Sequence, residues 1–226
     1  MSTAPTPCSS VVSLRRPSPS FVLTYDDGPT PGVTDRLLTV LAEAGATATF
    51  FVLLTRVRQC PGLLGETLAA GHEVGLHGLD HQRLTSLPPD AHAARFRDGR
   101  AELEDLAGVA VRWSRPPYGD QDLASWQAAR DAGLAPVLWN LTCLDWETHT
   151  QEENLAELRA ADPQGAVLLL HDGFADARDG VDDGPPPRGL DRVALTRAVL
   201  DRVSEAGLAP VSLGRAVVHE QTVEAG

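Results

Sequence analysis

The chain has 226 residues, 42% of them hydrophobic and 22% charged, with a formal net charge of −12. That length serves one good core and is short for two, and the apolar content excludes disorder throughout. The acidic balance gives a nucleic-acid backbone or an anionic membrane little to hold, and no run of basic residues supplies a local exception.

Residues 1–19, rich in Ser, Pro and Thr, read as a flexible N-terminal segment ahead of one domain over 20–214, with 215–226 as a C-terminal tail. The segment has no apolar stretch of signal-peptide length, and no part of the chain is apolar enough to cross a bilayer, so a cytoplasmic location is the expectation. Cys8, Cys60 and Cys143 form neither a disulfide framework nor a spaced metal cluster, which suits free thiols in a reducing compartment. From residue 20 onward, short apolar runs alternate with amphipathic stretches. The pattern predicts a strand at 21–25, a helix at 33–44, a strand at 47–54, a helix at 61–70, a strand at 72–76 and a helix at 90–107. It continues with a strand at 109–113, a helix at 121–132, a strand at 134–139, a helix at 151–161, a strand at 165–170, a helix at 191–206 and a strand at 208–213. In the first helix Val33, Leu37, Leu38 and Leu41 recur at helical spacing, and Gly45 supplies a stop. The run from Gly165 to Leu170 lacks polar alternation, as a parallel strand covered on both faces requires.

Repeated strand–helix units in one domain predict a parallel α/β fold. A barrel or incomplete barrel is favoured over an open sheet, because polar clusters follow several different strands and a barrel brings those strand ends to one mouth. No glycine-rich phosphate or dinucleotide motif follows the first strand. Residues 172–190, rich in Gly, Asp and Pro, read as a loop at that mouth.

The polar clusters carry the chemistry. Thr24-Tyr25-Asp26-Asp27-Gly28 places two carboxylates where the first strand opens, and paired carboxylates there call for a cation, a proton or solvent. His77 and His81 are spaced to share a face if a helical turn begins there. One or both carboxylates and two imidazoles make a three-ligand set with room for water, the pattern of a catalytic metal centre. His72 is not expected to join it, and Asp80 reads as a loop or supporting residue. Further along come Arg115-Pro116-Pro117-Tyr118-Gly119, Asp145-Trp146 and His171-Asp172-Gly173, each after a predicted strand.

In that order these clusters resemble the motifs of the polysaccharide deacetylase family, also called the NodB-homology domain or carbohydrate esterase family 4. Tyr25 stands where the family usually has Phe, and Gly78 where it commonly has Ser or Thr. The resemblance spans about residues 20 to 214 and implies an α/β fold, a distorted, incomplete (β/α) barrel. It implies that Asp27, His77 and His81 hold one divalent metal ion, zinc foremost, with cobalt or nickel as alternatives. Asp26 would be the general base, oriented by Arg115, and the backbone N–H of Tyr118 would face the oxyanion. His171 would donate a proton to the departing amine with Asp145 holding its imidazole, and Trp146 and Leu169 would wall the acyl methyl. The implied activity is hydrolysis of an N-acetyl or other N-acyl group on an amino-sugar-containing small molecule or oligosaccharide, expected to be an intracellular glycoside or biosynthetic intermediate. Hydrolysis of a non-sugar N-acyl or cyclic amide by an amidase or deformylase is the alternative, and a carbohydrate-binding pseudoenzyme a more distant one. Neither nucleic-acid binding nor membrane insertion is expected.

Overall fold

The computed structural model describes residues 10–225 apart from 16, 220 and 221. Cys8 and the first part of the expected flexible segment lie outside the described residues. In chain order the elements are β1 (Ser10–Leu14), β2 (Ser20–Gly28), α1 (Thr34–Glu43), β3 (Thr49–Leu53), α2 (Leu54–Gln59), α3 (Pro61–Ala69), β4 (Glu73–Gly78), α4 (Pro89–Ala107) and β5 (Trp113–Ser114). They continue as α5 (Leu123–Asp131), β6 (Ala135–Pro136), β7 (Leu141–Thr142), α6 (Gln151–Ala160), β8 (Val167–His171), α7 (Arg192–Glu205), β9 (Ala209–Val211), α8 (Leu213–His219) and β10 (Thr222–Ala225).

A single parallel sheet runs in the order β6-β5-β4-β3-β2-β8-β7, with β9 joining the first residues of β2. The sheet curls strongly without closing, giving the incomplete barrel expected. Strand β1 bridges the seam near the barrel floor: Leu138 N–H donates to Val11 O at 2.8 Å, and Leu14 N–H to Gly165 O at 2.8 Å.

Two-sided burial explains the strand sequences. Along β2, Phe21, Leu23 and Tyr25 face outward into the layer between sheet and helices, with Phe50, Leu76, Leu168 and Leu37. Val22 faces inward with Phe51, Trp113, Val137 and Val167, above a floor made by Val11 and Leu14 of β1 and Leu213 and Ala216 of α8. A strand with both faces covered needs apolar residues at consecutive positions, as parallel sheets do. Three of the helices start where side chains cap them: Asp122 and Thr150 form capping boxes at α5 and α6, and Asp191 accepts from Val193 and Ala194 N–H at α7.

Three expectations need correction. The stretch Ser10–Leu14, expected within a flexible segment, is strand β1 and pairs antiparallel with β10, which lies in the expected tail together with most of α8. Its burial comes from Val11 and Leu14, two apolar residues that a Ser- and Pro-rich background hides. Helix α2 was not anticipated, because Leu53 and Leu54 are both apolar and no breaker marks where strand becomes helix. The strands expected at 109–113 and 134–139 shrink to two-residue ladders at β5 and β6. No helix among the described residues is long and apolar enough to cross a membrane.

Leu168 is fully buried in β8 between β2 and β7. Truncation to Ala is expected to cost about 3 kcal/mol of stability, the range for a leucine removed from a packed core. Urea unfolding of Leu168→Ala against the parent checks it, and a loss under about 1 kcal/mol would show that the layer collapses around the gap.

Candidate active site

Adjacent residues in a regular strand point to opposite faces, so two neighbouring aspartates cannot both reach the barrel mouth without a break in the strand. The break is present. The register of β2 against β3 shifts between Asp26 and Gly28, and Asp27 takes a left-handed backbone with φ 72°. Among the described residues, Asp27, Tyr118 (φ 62°) and Leu144 (φ 52°) are the non-glycine residues with positive φ. All three stand at this mouth or directly beside a residue that does, where strained backbone is a mark of function.

His77 lies in β4 and His81 in the bend after it, so a strand and a turn, not a helical turn, bring the pair together. Gly78 makes the turn: its φ is +154°, and a Cβ there would sit 2.4 Å from the Asp80 carbonyl oxygen. A Ser or Thr would not fit this turn as it stands. Asp80 stays out of the centre, paired with Arg95 and accepting from Gln82 N–H. His72 also stays out, its Nδ1 accepting from Ala48 N–H at 3.1 Å.

Asp27, His77 and His81 converge, with their candidate ligand atoms within 4.8 Å of one another. Asp27 Oδ1 is 3.3 Å from His77 Nε2 and 3.2 Å from His81 Nε2. Two donors about 2.1 Å from a tetrahedral ion lie about 3.4 Å apart, so the spacing suits a zinc-sized ion. Asp27 Oδ1 is buried without a hydrogen-bond partner, a further sign of a donor awaiting a cation. Burial would raise the Asp27 pKa, but the adjoining His77 imidazole and the charges of His81 and His171 hold it well below the carboxylate range. Burial pushes His81 down to about 4, which keeps it a neutral donor. For His77 burial also works downward, but the Asp26 and Asp27 carboxylates prevail and raise it. A cation held there would compete with a proton for His77.

Asp26 is held separately. Arg115, fully buried, donates from Nη1 to Asp26 Oδ1 at 2.8 Å and to Thr24 Oγ1 at 2.8 Å, from Nε to Val137 O at 3.2 Å and from Nη2 to Leu138 O at 2.9 Å. Its guanidinium lies 4.3 Å over the Phe51 ring. The expected contact of Arg115 with Asp26 is thus present. The backbone carbonyl of Arg115 accepts from His77 Nδ1 at 2.8 Å, leaving the lone pair on Nε2, which faces Asp27, free for a ligand.

On the opposite side of the cleft, Asp145 Oδ1 is 2.7 Å from His171 Nδ1, while its Oδ2 accepts from His171 N–H at 2.9 Å and from Arg192 Nη1 at 2.7 Å. Burial lowers the His171 pKa, but the charge and hydrogen bond of Asp145, backed by Asp27 and Asp26, override it and bring it to about 9. Trp146 packs edge-on against His171 with ring centroids 5.4 Å apart.

These groups line a cleft of about 380 Å³ that also includes Leu169, Tyr118, Trp139, Phe174, Arg83 and Asp183. All ten residues singled out in the sequence thus come to this mouth, either lining the cleft or, for Arg115 and Asp145, directly bonded to a residue that does. Arg192, Trp139, Arg83 and Asp183 were not foreseen. Trp139 closes a predicted strand, and Asp183 lies in the loop assigned to the mouth, so each carried a positional hint. Arg192 sits at the first position of α7, one helix among several, and nothing local marks it.

Comparison with known proteins fits this geometry. The family model described as "Polysaccharide deacetylase" matches residues 14–137. A chitooligosaccharide deacetylase of Bradyrhizobium sp. (strain ANU 289) is 37% identical over 158 residues, covering 69% of this chain and 71% of that protein. The Bc1960 peptidoglycan N-acetylglucosamine deacetylase superposes with a TM-score of 0.78 at 23% identity, over 91% of each chain. BA3943, a CE4 family pseudoenzyme from Bacillus anthracis, superposes with a TM-score of 0.81 at 17% identity, over 97% of this chain and 71% of that one. At those identities the two structures speak for the fold alone, and the second shows that the fold does not guarantee the chemistry.

In metal-free protein the His171 imidazole is expected to titrate near 9 by long-range 15N NMR. In Asp145→Asn it should fall to 6.5 or lower, because burial is then opposed only by weaker charges. Since the folded state binds this proton more tightly, its contribution to stability is fully present below the ordinary value of 6.5 and is lost as pH rises through about 9. A His171 pKa unmoved by the substitution would remove Asp145 as its cause.

Proposed function

Because the chain belongs to the polysaccharide deacetylase family, we propose that it is a metal-dependent hydrolase that removes the N-acetyl group from an amino-sugar substrate, giving the free amine and acetate. The observation that carries this reading is the convergence of Asp27, His77 and His81 beside a second carboxylate, Asp26, held by its own buried guanidinium. Two aspartates next to each other thus have separate partners and can have separate tasks.

Asp27, His77 and His81 would hold a divalent ion, which would supply Lewis acidity toward the amide carbonyl and toward water. Zinc suits two imidazoles and one carboxylate with a position left open. Asp26 accepts the proton of the attacking water. Arg115 keeps it aimed, since a guanidinium's directed donors fix the orientation of the carboxylate they bond. The backbone N–H of Tyr118, a residue of left-handed backbone that lines the cleft, is the donor for the developing oxyanion. His171, whose proton Asp145 retains to about 9, delivers it to the departing nitrogen. Trp146 and Leu169 form the apolar wall for the acetyl methyl, both lining the cleft. The relatives named for chitooligosaccharide and peptidoglycan N-acetylglucosamine deacetylation support an amino-sugar substrate. Cys60 and Cys143 are free thiols, which supports residence in the reducing cytoplasm.

Acetate release from short N-acetylglucosamine oligomers by zinc-loaded protein is the test. Chelation should abolish turnover and zinc restore it. Asp26→Asn should lower kcat by about 10²- to 10⁴-fold, the span of a lost general base, with zinc still bound. No acetate from protein carrying stoichiometric zinc would overturn the amino-sugar reading.

A further inference from the structure

The two histidines of the metal site are supported unequally. A ligating imidazole ordinarily gives its other N–H to a carboxylate or carbonyl, which fixes tautomer and ring orientation and strengthens the donor nitrogen. His77 has such a partner in the Arg115 carbonyl at 2.8 Å. His81 does not: its Nε2 faces Asp27, and its Nδ1 is buried without a hydrogen-bond partner.

The nearest carboxylate to that nitrogen is Asp183, whose Oδ2 lies 3.9 Å away. It comes from the Gly- and Pro-rich loop rather than from any of the motif clusters. Its present partner is the Tyr118 hydroxyl, which donates to the same Oδ2, and the Tyr118 ring packs on His81 with centroids 4.3 Å apart. A movement of about 1 Å would bring Oδ2 within hydrogen-bond distance of Nδ1. The loop has room for it. The Asp183 side chain is 41% exposed, and the neighbouring Gly184, at φ +82°, has nothing within 4 Å of where its Cβ would stand.

We propose that Asp183 is a positioning residue of the metal centre: it accepts the His81 Nδ1–H when an ion is bound, and Tyr118 holds it ready. The loop over the mouth is thereby tied to metal occupancy through one side chain. This rests on the reading of Asp27, His77 and His81 as a metal site. Asp183 touches the ion only through His81, so its removal weakens binding without changing the ligand set.

The experiment compares zinc affinity of the full chain, Asp183→Ala and Asp183→Asn by competition with a chromophoric chelator, alongside the Co²⁺ absorption spectrum and unfolding of the metal-free proteins. Asp183→Ala is expected to bind zinc about 10- to 100-fold more weakly, the usual effect of losing such a partner. Asp183→Asn, whose amide oxygen still accepts from Nδ1–H, should recover most of that loss. The Co²⁺ band shape and metal-free stability should stay those of the parent. Parent-like zinc affinity in Asp183→Ala would overturn the proposal, as would a changed Co²⁺ coordination number, which would make Asp183 a ligand itself. Failure of the parent to bind zinc is a separate result, and it would overturn the metal-site reading together with this one.

Discussion

A guanidinium with no exposure to solvent is among the most demanding groups a small barrel can enclose, because an uncompensated buried charge is strongly unfavourable. Arg115 is such a group, and the arrangement of the mouth follows from how it is satisfied. Burial disfavours its charge and lowers its pKa, and Asp26 offsets part of that effect. Its remaining donors go to Thr24 in β2 and to the carbonyls of Val137 and Leu138, just after β6, with Phe51 of β3 beneath its plane. The fork draws the ends of β2 and β6 together across the barrel interior, near the seam that the sheet leaves open. A lysine could not do this, since a point charge lacks the directed donors needed to reach four acceptors. The same residue's carbonyl fixes the His77 tautomer. Side chain and backbone of one position thus hold Asp26 on one hand and His77 on the other, so both depend on the same turn.

The second constraint is geometric. Strands deliver side chains to alternate faces, and a mouth that needs Asp26 and Asp27 together must break that rule. The fold breaks it with a register shift and one left-handed residue, and breaks it again at Tyr118 and Leu144. Each strained position lies at or beside a proposed catalytic group, while regular strand backbone below carries the apolar layers. Rigid packing of Phe21, Leu23 and Leu168 beneath the site is what allows unfavourable backbone above it to persist.

Periodicity revealed most of the elements because two-sided burial leaves long apolar runs, and it lost those where tertiary contact overrides the pattern. The stretch at 10–14 is a strand because Val11 and Leu14 find the barrel floor, which no local signal announces. The motif residues were legible because several chemistry-bearing side chains recur at strand ends, and the resemblance then assigned them tasks. The four-residue spacing of His77 and His81 was read correctly as convergence but for the wrong reason, since a strand followed by a glycine turn also brings such a pair together. Arg192 and Asp183 were illegible in their tasks because each acts through a partner far away in sequence, on Asp145 and near His81 respectively. Supporting residues of this kind are fixed by the folded arrangement, not by spacing.

The ionisable groups at the mouth share one buried environment but hold different protonation states, and their partners decide which. Desolvation alone would make Asp27 neutral and strip His171 of its proton; the imidazoles around Asp27 and the carboxylate of Asp145 reverse both outcomes. Arg192 sets a limit on the second reversal. It occupies Asp145 Oδ2 and leaves Oδ1 to the imidazole, so the negative charge that retains the His171 proton is shared with a cation. For His171 in the proposed role of acid, an Asp145 whose charge Arg192 did not share would hold the imidazole's proton more tightly and make it a poorer donor to a leaving amine, because proton delivery is most efficient when the donor's affinity is close to what the operating pH demands. Bonded to both His171 and Arg192, Asp145 would leave that proposed acid charged enough to carry a proton and weak enough in its hold to release it.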